Sequence, residues 1–192
     1  MTSAILVIFL VIGSTITYFV MERSMREFEN RDAVQTQKRI NILLNQQMFN
    51  MAKQTADYAV WTATYDFMDK FDSNYIKENY TEEIFDNLDI DYVYILRTDG
   101  SIVVAMIRAN QLAPGATGIR NIADSKPMGI SNQILNELTK TKETKISSYL
   151  SFNGQQYIYG VSDILTSDGY GPARGKMLFI RMIDQKRLNS LK

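Results

Sequence analysis

The 192-residue sequence contains neither histidine nor cysteine. Without histidine there is no Ser-His-Asp triad, no His-based zinc site and no phosphorylated histidine. Without cysteine there is no disulfide, thiolate nucleophile or Cys-based metal site. The 21 Lys and Arg are balanced by 21 Asp and Glu, so the chain also lacks the positive field that binds nucleic acid. Of the common enzyme classes, only carboxylate-based and lysine-based ones are left open.

Charge is absent from residues 1–21, and Ala4–Val20 is a nearly unbroken apolar run. A helix of about 20 such residues is long enough to cross the hydrocarbon core of a bilayer. A cleaved signal peptide would need a basic start and a small-residue cleavage site, which the segment Phe19–Arg23 does not supply. We therefore predict a transmembrane helix over residues 1–21, with the lipid bilayer as a partner.

Glycine and proline are absent from residues 22–70, which predicts a long membrane-proximal helix over that range. One stripe recurs at alternating spacings of four and three, at Leu44, Met48, Met51, Thr55, Tyr58, Thr62 and Tyr65. Such a stripe is a dimer seam, a face docked on the chain's own sheet, or both in succession. We predict a homodimer through this helix, with its seam over about residues 30–55.

The apolar period changes from 3.6 to 2 near residue 92, which indicates entry into a sheet. The predicted strands are Tyr92–Leu96, Ile102–Ile107, Lys145–Phe152, Gln155–Ser162 and Lys176–Ile183. Asp99-Gly100 and Asn153-Gly154 are typical of hairpin turns, and Ser131 is expected to cap a helix that ends near Lys140. The pattern predicts an α+β domain over residues 71–185 with a five-stranded antiparallel sheet. Residues 186–192 are expected to lead toward a second membrane helix.

Arg181 is a candidate ligand contact because it lies inside the apolar strand segment Met177–Met182. An unpaired guanidinium in such a place is very costly. It is therefore a ligand anchor, the partner of an internal acid such as Asp57 or Asp66, or exposed at the strand end. Arg108, just past the second strand, is a weaker candidate of the same kind.

Trp61 and Tyr65 are the aromatic candidates for ligand contacts. They lie on the helix that leads to the sheet, where rings either stack on a ligand or fill the core. Three acids downstream, Asp86, Asp89 and Asp91, lack the spacing and the closing Glu of a calcium loop. We interpret them as a solvated helix exit, and we expect neither a metal nor a cofactor.

Three separated motifs carry a resemblance to a known family. They are Asp57–Phe67 (DYAVWTATYDF), Asp91–Ile95 with Asp99-Gly100, and Ser167–Gly175 (SDGYGPARG). Over about residues 50–185 the chain resembles the fourth CHASE family, whose members are sensory domains outside the membrane in prokaryotic histidine kinases and diguanylate cyclases. Thr62 and Ala63 stand where that family typically has acidic residues, so the resemblance does not carry over the ligand's identity.

The resemblance implies a PAS-like fold, a pocket for a small-molecule ligand on one sheet face, and an extracytoplasmic location. The flanking charges disagree, because the positive-inside rule would place the domain in the cytoplasm. These charges are Arg23, Arg26, Arg31, Lys38 and Arg39. We follow the resemblance, because a flank of only three residues makes that rule weak here.

The sequence thus predicts the non-enzymatic input domain of a membrane-bound signal-transduction receptor, with an output domain of unspecified type. The tentative ligand-binding residues are Trp61, Tyr65, Arg181 and Arg108. Two alternatives are a pilin-like structural subunit and a membrane-tethered hydrolase. The first would need a processed start with a nearby Glu, and the second would need a convergent pair of acids; the sequence shows neither.

Overall fold

The computed structural model of the chain describes residues 2–113, 115–122 and 145–190, and it leaves out the side chains of residues 2–11, 30, 33, 145 and 190. The chain divides into two compact units, Met1–Leu44 and Asn45–Lys192. The second unit contains the sheet and every site discussed below. The predicted helix from Ser131 to Lys140 lies outside the described residues.

Helix α1 spans Thr2–Ala59. The described residues after it form four short α-helices and one 3-10 turn (Ala109–Gln111); the helices are α2 (Thr62–Phe67), α3 (Ser73–Asn79), α4 (Glu82–Leu88) and α5 (Gln185–Ser190). The predicted long helix breaks at Val60, which forms a single parallel bridge with Leu165. Helix α4 begins after Thr81, whose side chain accepts a hydrogen bond from the amide of Ile84. Two acids in its first turn favour this start, because they face the positive end of the helix dipole.

The sheet has six strands, and every pairing between them is antiparallel. The strands are β1 (Tyr92–Arg97), β2 (Ile102–Arg108), β3 (Ile119–Asn121), β4 (Lys145–Phe152), β5 (Gln155–Asp163) and β6 (Gly175–Ile183). Their order across the sheet is β3-β2-β1-β6-β5-β4, so β6 lies between the two hairpins. The predicted α+β class is correct, but the predicted count of five strands is wrong. The missed strand, β3, has only three residues, too few to show an alternating pattern.

Helix α1 packs closely on one face of the sheet at Gly160 of β5. A Cβ atom added to Gly160 would lie 2.5 Å from Oγ1 of Thr55 and 2.8 Å from the carbonyl oxygen of Met51. One turn further along α1, the ring of Tyr58 lies 5.5 Å from that of Phe179 on β6. The absence of a side chain at Gly160 therefore allows the helix backbone to approach the strand.

This packing accounts for the C-terminal half of the predicted apolar stripe. Met51 and Thr55 are fully buried within the chain itself. Of the alternatives, the stripe is therefore a docking face on the sheet from Met51 to Tyr58, and Met51 is not available to a second copy. The predicted dimer seam is left with residues that precede Met51.

Among the helices with described side chains, none is long and apolar enough to span a bilayer. The predicted membrane helix over residues 1–21 falls partly on side chains outside that description.

Replacing Gly160 with Ala should destabilise the domain. The new methyl group would force α1 away from β5, and such overpacking typically costs about 1–3 kcal/mol. The free energy of unfolding, measured with denaturant on the purified chain, tests this. Gly13→Ala is the matched control, since a Cβ there meets nothing within 4 Å. Equal stability of the two variants would contradict the close approach.

Candidate functional site

The four predicted ligand residues lie in two separate places. Trp61 and Tyr65 are at helix α2, where the ring of Tyr65 lies 3.7 Å below the guanidinium carbon of Arg174. Arg174 also donates to the carbonyl oxygen of Tyr65 at 3.0 Å and pairs with Asp69 at 2.7 Å. Trp61 is 38% exposed, and its ring centroid is 6.3 Å from that of Tyr75. Tyr65 is therefore held by protein groups, while part of the Trp61 ring faces solvent.

The first and the third of the three family motifs contact each other at α2. The amide of Thr62 donates to Oγ of Ser167 at 2.9 Å, and the amide of Ser167 donates to Oγ1 of Thr62 at 3.1 Å. At the end of the third motif, a Cβ on Gly175 would clash with the carbonyl oxygen of Leu96. These motif residues dock the loop before β6 onto α2 and onto β1.

Arg108 and Arg181 lie together at the other place, beside the corner between α4 and β1. Arg181 is 8% exposed and is satisfied by protein acceptors. It donates to the carbonyl oxygens of Asp89 (2.5 Å) and Leu88 (2.9 Å) and to Oε1 of Gln47 on α1 (2.6 Å). Its carboxylate partner is Asp89 at 3.3 Å, so the expected partners Asp57 and Asp66 were wrong. Burial lowers the pKa of Arg181, although the charge of Asp89 opposes that shift.

Arg108 has a similar set of partners. It pairs with Asp86 at 2.5 Å and with Asp91 at 3.5 Å, and its Nε donates to the carbonyl oxygen of Ile90 at 2.7 Å. Its guanidinium carbon lies 5.8 Å from the centre of the Phe85 ring. Arg108 also lines an open polar cleft of about 410 Å³.

Helix α5 supplies a third arginine, which the sequence did not single out. Arg187 pairs with Asp91 at 2.5 Å and with Asp89 at 2.8 Å, and it donates to the carbonyl oxygen of Met182 at 2.6 Å. Asp91 is only 1% exposed and accepts a hydrogen bond from the amide of Met182 at 2.8 Å. We call these residues the arginine–aspartate cluster: Asp86, Asp89, Asp91, Arg108, Arg181 and Arg187.

The cluster corrects our interpretation of a solvated helix exit for Asp91 only, because the side chains of Asp86 and Asp89 are 64% and 52% exposed. Asp91 is buried, and all three acids form ion pairs with arginines. Within the described ranges, no group of three or more acidic side chains is arranged to hold a metal ion. The cluster is thus an ion-pair network at one end of the sheet, buried at Asp91 and open to solvent at Asp86 and Asp89.

The sheet face opposite α1 carries a group of tyrosines that the sequence analysis did not select. Tyr92 and Tyr94 stack at 6.4 Å with an interplanar angle of 10°, and Tyr157 meets Tyr92 edge-on at 6.3 Å. We call this group the tyrosine face. Tyr94 is fully buried, and its hydroxyl has no hydrogen-bond partner in the described part of the chain. The sequence could have indicated this group, because Tyr92 and Tyr94 are two residues apart in a predicted strand and alternate strand residues share a face.

Burial raises the pKa of both Tyr92 and Tyr94 far above the usual value, and the neighbouring Tyr157 raises both further. Burial also raises the pKa of Tyr157. All three phenols are therefore neutral at physiological pH and can donate a hydrogen bond. Tyr92, Tyr94 and Tyr157 are at most 4% exposed, so the tyrosine face is a buried apolar aromatic layer with neutral hydroxyl groups.

Comparison with known proteins gives the family. The family model of the CHASE4 domain matches residues 43–192 of the chain. The chain belongs to the CHASE4 domain family. The resemblance deduced from the three motifs is therefore confirmed, and the match extends it at both ends. As a CHASE4 domain, the chain is a sensory domain.

Two solved structures are similar in fold. The extracellular domain of the provisionally assigned histidine kinase vpHK1S-Z8 is 11% identical with a TM-score of 0.48, over 89% of this chain and 62% of the other. A domain of a provisionally assigned sensory box/GGDEF family protein from Vibrio parahaemolyticus is 9% identical with a TM-score of 0.40, over 81% of this chain and 57% of the other. The chain thus spans less than two thirds of either of these structures. No curated protein sequence matches it.

Replacing Arg181 with Met should lower the free energy of unfolding by about 3–5 kcal/mol, because it leaves buried acceptors unpaired. Denaturant melts of the unliganded protein measure this. Arg97→Met, at an exposed position on β1, should change stability by less than about 0.5 kcal/mol. If Arg181→Met were as stable as the parent, Arg181 would instead be the ligand anchor considered from the sequence.

Proposed function

We propose that this CHASE4 domain is the extracytoplasmic input domain of a membrane-bound prokaryotic receptor. It binds a small ligand and passes a conformational change through the membrane. Membership of a sensory family supports this function, and the apolar run Ala4–Val20 supports a membrane anchor. The same membership supports a non-enzymatic role. The output domain is that of a histidine kinase, a diguanylate cyclase or a related receptor.

The tyrosine face is the proposed ligand surface, and the hydroxyl of Tyr94 is the observation that carries this proposal. A buried hydroxyl without a partner costs about 1–3 kcal/mol, which an acceptor on a ligand would recover. The surrounding aromatic rings suit a ligand with an apolar body. The expected ligand is therefore a small molecule with an apolar part and a carbonyl or carboxylate oxygen.

The four residues selected from the sequence have different roles in this proposal. Trp61 is retained as a second ligand contact, because its ring is partly exposed, and Tyr65 lies beside it on α2. Arg108 is retained because it lines the polar cleft. Arg181 has an internal role, because α1 and the α4–β1 corner already supply its acceptors.

We further propose that two copies associate through the part of α1 before Asn45. Exposed apolar side chains continue along this segment, at Met21, Met25, Phe28, Val34, Ile40 and Ile42. A pair of such helices would bury Met21, Met25, Phe28 and Ile42, which share one helix face, and would carry a displacement along the helix axis toward the membrane.

The variant Tyr94→Phe should separate ligand binding from stability. Removing an unpartnered hydroxyl should leave the free energy of unfolding unchanged or raise it by up to about 1 kcal/mol. Thermal shifts with amino acids, carboxylic acids and amides identify a bound compound, whose affinity should then fall roughly tenfold in the variant. Tyr149→Phe is the matched control, because that side chain is 65% exposed. Unchanged affinity in Tyr94→Phe would remove the tyrosine face as the ligand surface.

Single cysteines test the proposed topology in a chain that has no native cysteine. Asn153 and Asp168 are exposed turn residues, and Asn153→Cys and Asp168→Cys should both react with a membrane-impermeant maleimide in intact cells. Protection of both until lysis would mean that the flanking positive charges, and not the family, indicate the correct side.

A further inference from the structure

A continuous path of hydrogen bonds joins the first helix of the domain to the last. Gln47 on α1 accepts from Nη1 of Arg181 on β6 at 2.6 Å. Nε of Arg181 donates to the carbonyl oxygen of Asp89 at 2.5 Å. The carboxylate of Asp89 in turn accepts from Nη2 of Arg187 on α5 at 2.8 Å. Four residues therefore connect α1 to α5 through the corner that follows α4.

The corner itself has a defined backbone conformation. Asp89 ends helix α4 in the left-handed region, with a φ of 51°. Arg181 donates to the carbonyl oxygens on both sides of that bend, at Leu88 and Asp89. Asp91, two residues on, begins the pairing with β6 through its amide, which donates to the carbonyl oxygen of Ile180 at 2.9 Å. The segment Leu88–Asp91 is thus held by β6 and, through Arg181, by α1.

Helix α5 depends on this corner for its position. It has only six residues, and a helix of that length is not stable alone in water. Arg187 attaches it with both edges of its guanidinium, to Asp91 at 2.5 and 3.2 Å and to Asp89 at 2.8 and 3.1 Å. Burial alone would lower the pKa of Arg187, but Asp91 and then Asp89 raise it above its usual value. Arg187 therefore stays charged and attached.

The two ion pairs of Arg187 differ in how easily they open. The Asp91 side chain is 2% exposed and that of Asp89 is 52% exposed. Breaking a buried pair leaves an uncompensated charge and is strongly unfavourable, whereas an exposed pair contributes little to stability. Asp91 is thus the fixed attachment of α5, and Asp89 is the attachment that can open and close.

We propose that the segment Leu88–Asp91 couples α1 to α5, with Arg187 as the residue that makes α5 follow movements of this segment. When Asp89 holds Arg187, α5 keeps one position relative to residues 45–59 of α1. When that pair opens, Arg187 keeps its bonds to Asp91 and to the carbonyl oxygen of Met182, and α5 gains freedom. The coupling is a property of the fold, and only its use in signalling rests on the proposed function.

The test uses the full chain in lipid nanodiscs, with spin labels on cysteines introduced at exposed positions. Asn45→Cys with Asn189→Cys reports the distance between α1 and α5, and Asn45→Cys with Gln155→Cys reports the distance between α1 and the sheet. Arg187→Gln should abolish the single narrow distance peak of the first pair and leave that of the second unchanged. Arg174→Gln, which removes an arginine paired elsewhere, should preserve both peaks. A first pair that stays narrow in Arg187→Gln would overturn the proposal.

A milder variant covers the case in which Arg187→Gln loosens the whole domain. Asp89→Asn removes the charge but keeps a residue type that tolerates the left-handed conformation. Backbone amides of α5 should then exchange with solvent up to about fivefold faster, while those of β1 and β6 keep the parent rate. Combined with Arg187→Gln, it should add little further effect, because both changes break the same pair. Additive effects, or equal acceleration in the sheet, would contradict the coupling.

These measurements need no ligand, so their failure is distinguishable from failure of the proposed function. If α5 is released in both variants but no compound stabilises the parent chain, the coupling stands and the ligand proposal fails. If a compound binds in a Tyr94-dependent way while α5 is unaffected by Arg187→Gln, the sensor role stands and the coupling is wrong.

Discussion

The architecture depends on one buried guanidinium in the middle of an apolar strand. Arg181 lies on β6, which joins the two hairpins into one sheet, and it is 8% exposed. A charge in that position is tolerable only if protein groups take up its donors. They come from α1, through Gln47, and from the carbonyl oxygens of Leu88 and Asp89. The requirement to satisfy one side chain therefore fixes the first helix and the α4–β1 corner on the sheet.

Local sequence chemistry was enough to predict the two hairpins. Gly100, Asn153 and Gly154 all have positive φ angles, as their turn types require. The sheet was otherwise predicted from alternation, which is why the three-residue β3 was missed. Gly160 shows a different limit, because the reason for a glycine there is the approach of α1. Contacts between distant segments leave no trace in local periodicity.

The same limit explains what was predicted for the charged residues. The cost of burying Arg181 was clear from its strand, but its partner was not, because Asp89 is 92 residues away in sequence. The three acids at the end of α4 and just after it were interpreted as solvated because the arginines that pair with them come from the distant elements β2, β6 and α5. The family motifs were recognised correctly, yet Thr62 and Ser167 turned out to contact each other across 105 positions. Residue type indicated the need for a partner, and only the fold identified it.

The proposed ligand surface and the proposed coupling meet at two adjacent residues. Tyr92 belongs to the tyrosine face, and Asp91 holds Arg187; the charge of Asp91 is also among the causes that raise the pKa of Tyr92. A ligand that shifts the start of β1 therefore acts directly on the corner. It can do so only to the extent that it binds the two arrangements with different affinity. A tenfold preference, about 1.4 kcal/mol, exceeds the 0–1 kcal/mol expected of the exposed Asp89–Arg187 pair. A weakly discriminating ligand would thus be enough to open that pair while Asp91 keeps α5 attached.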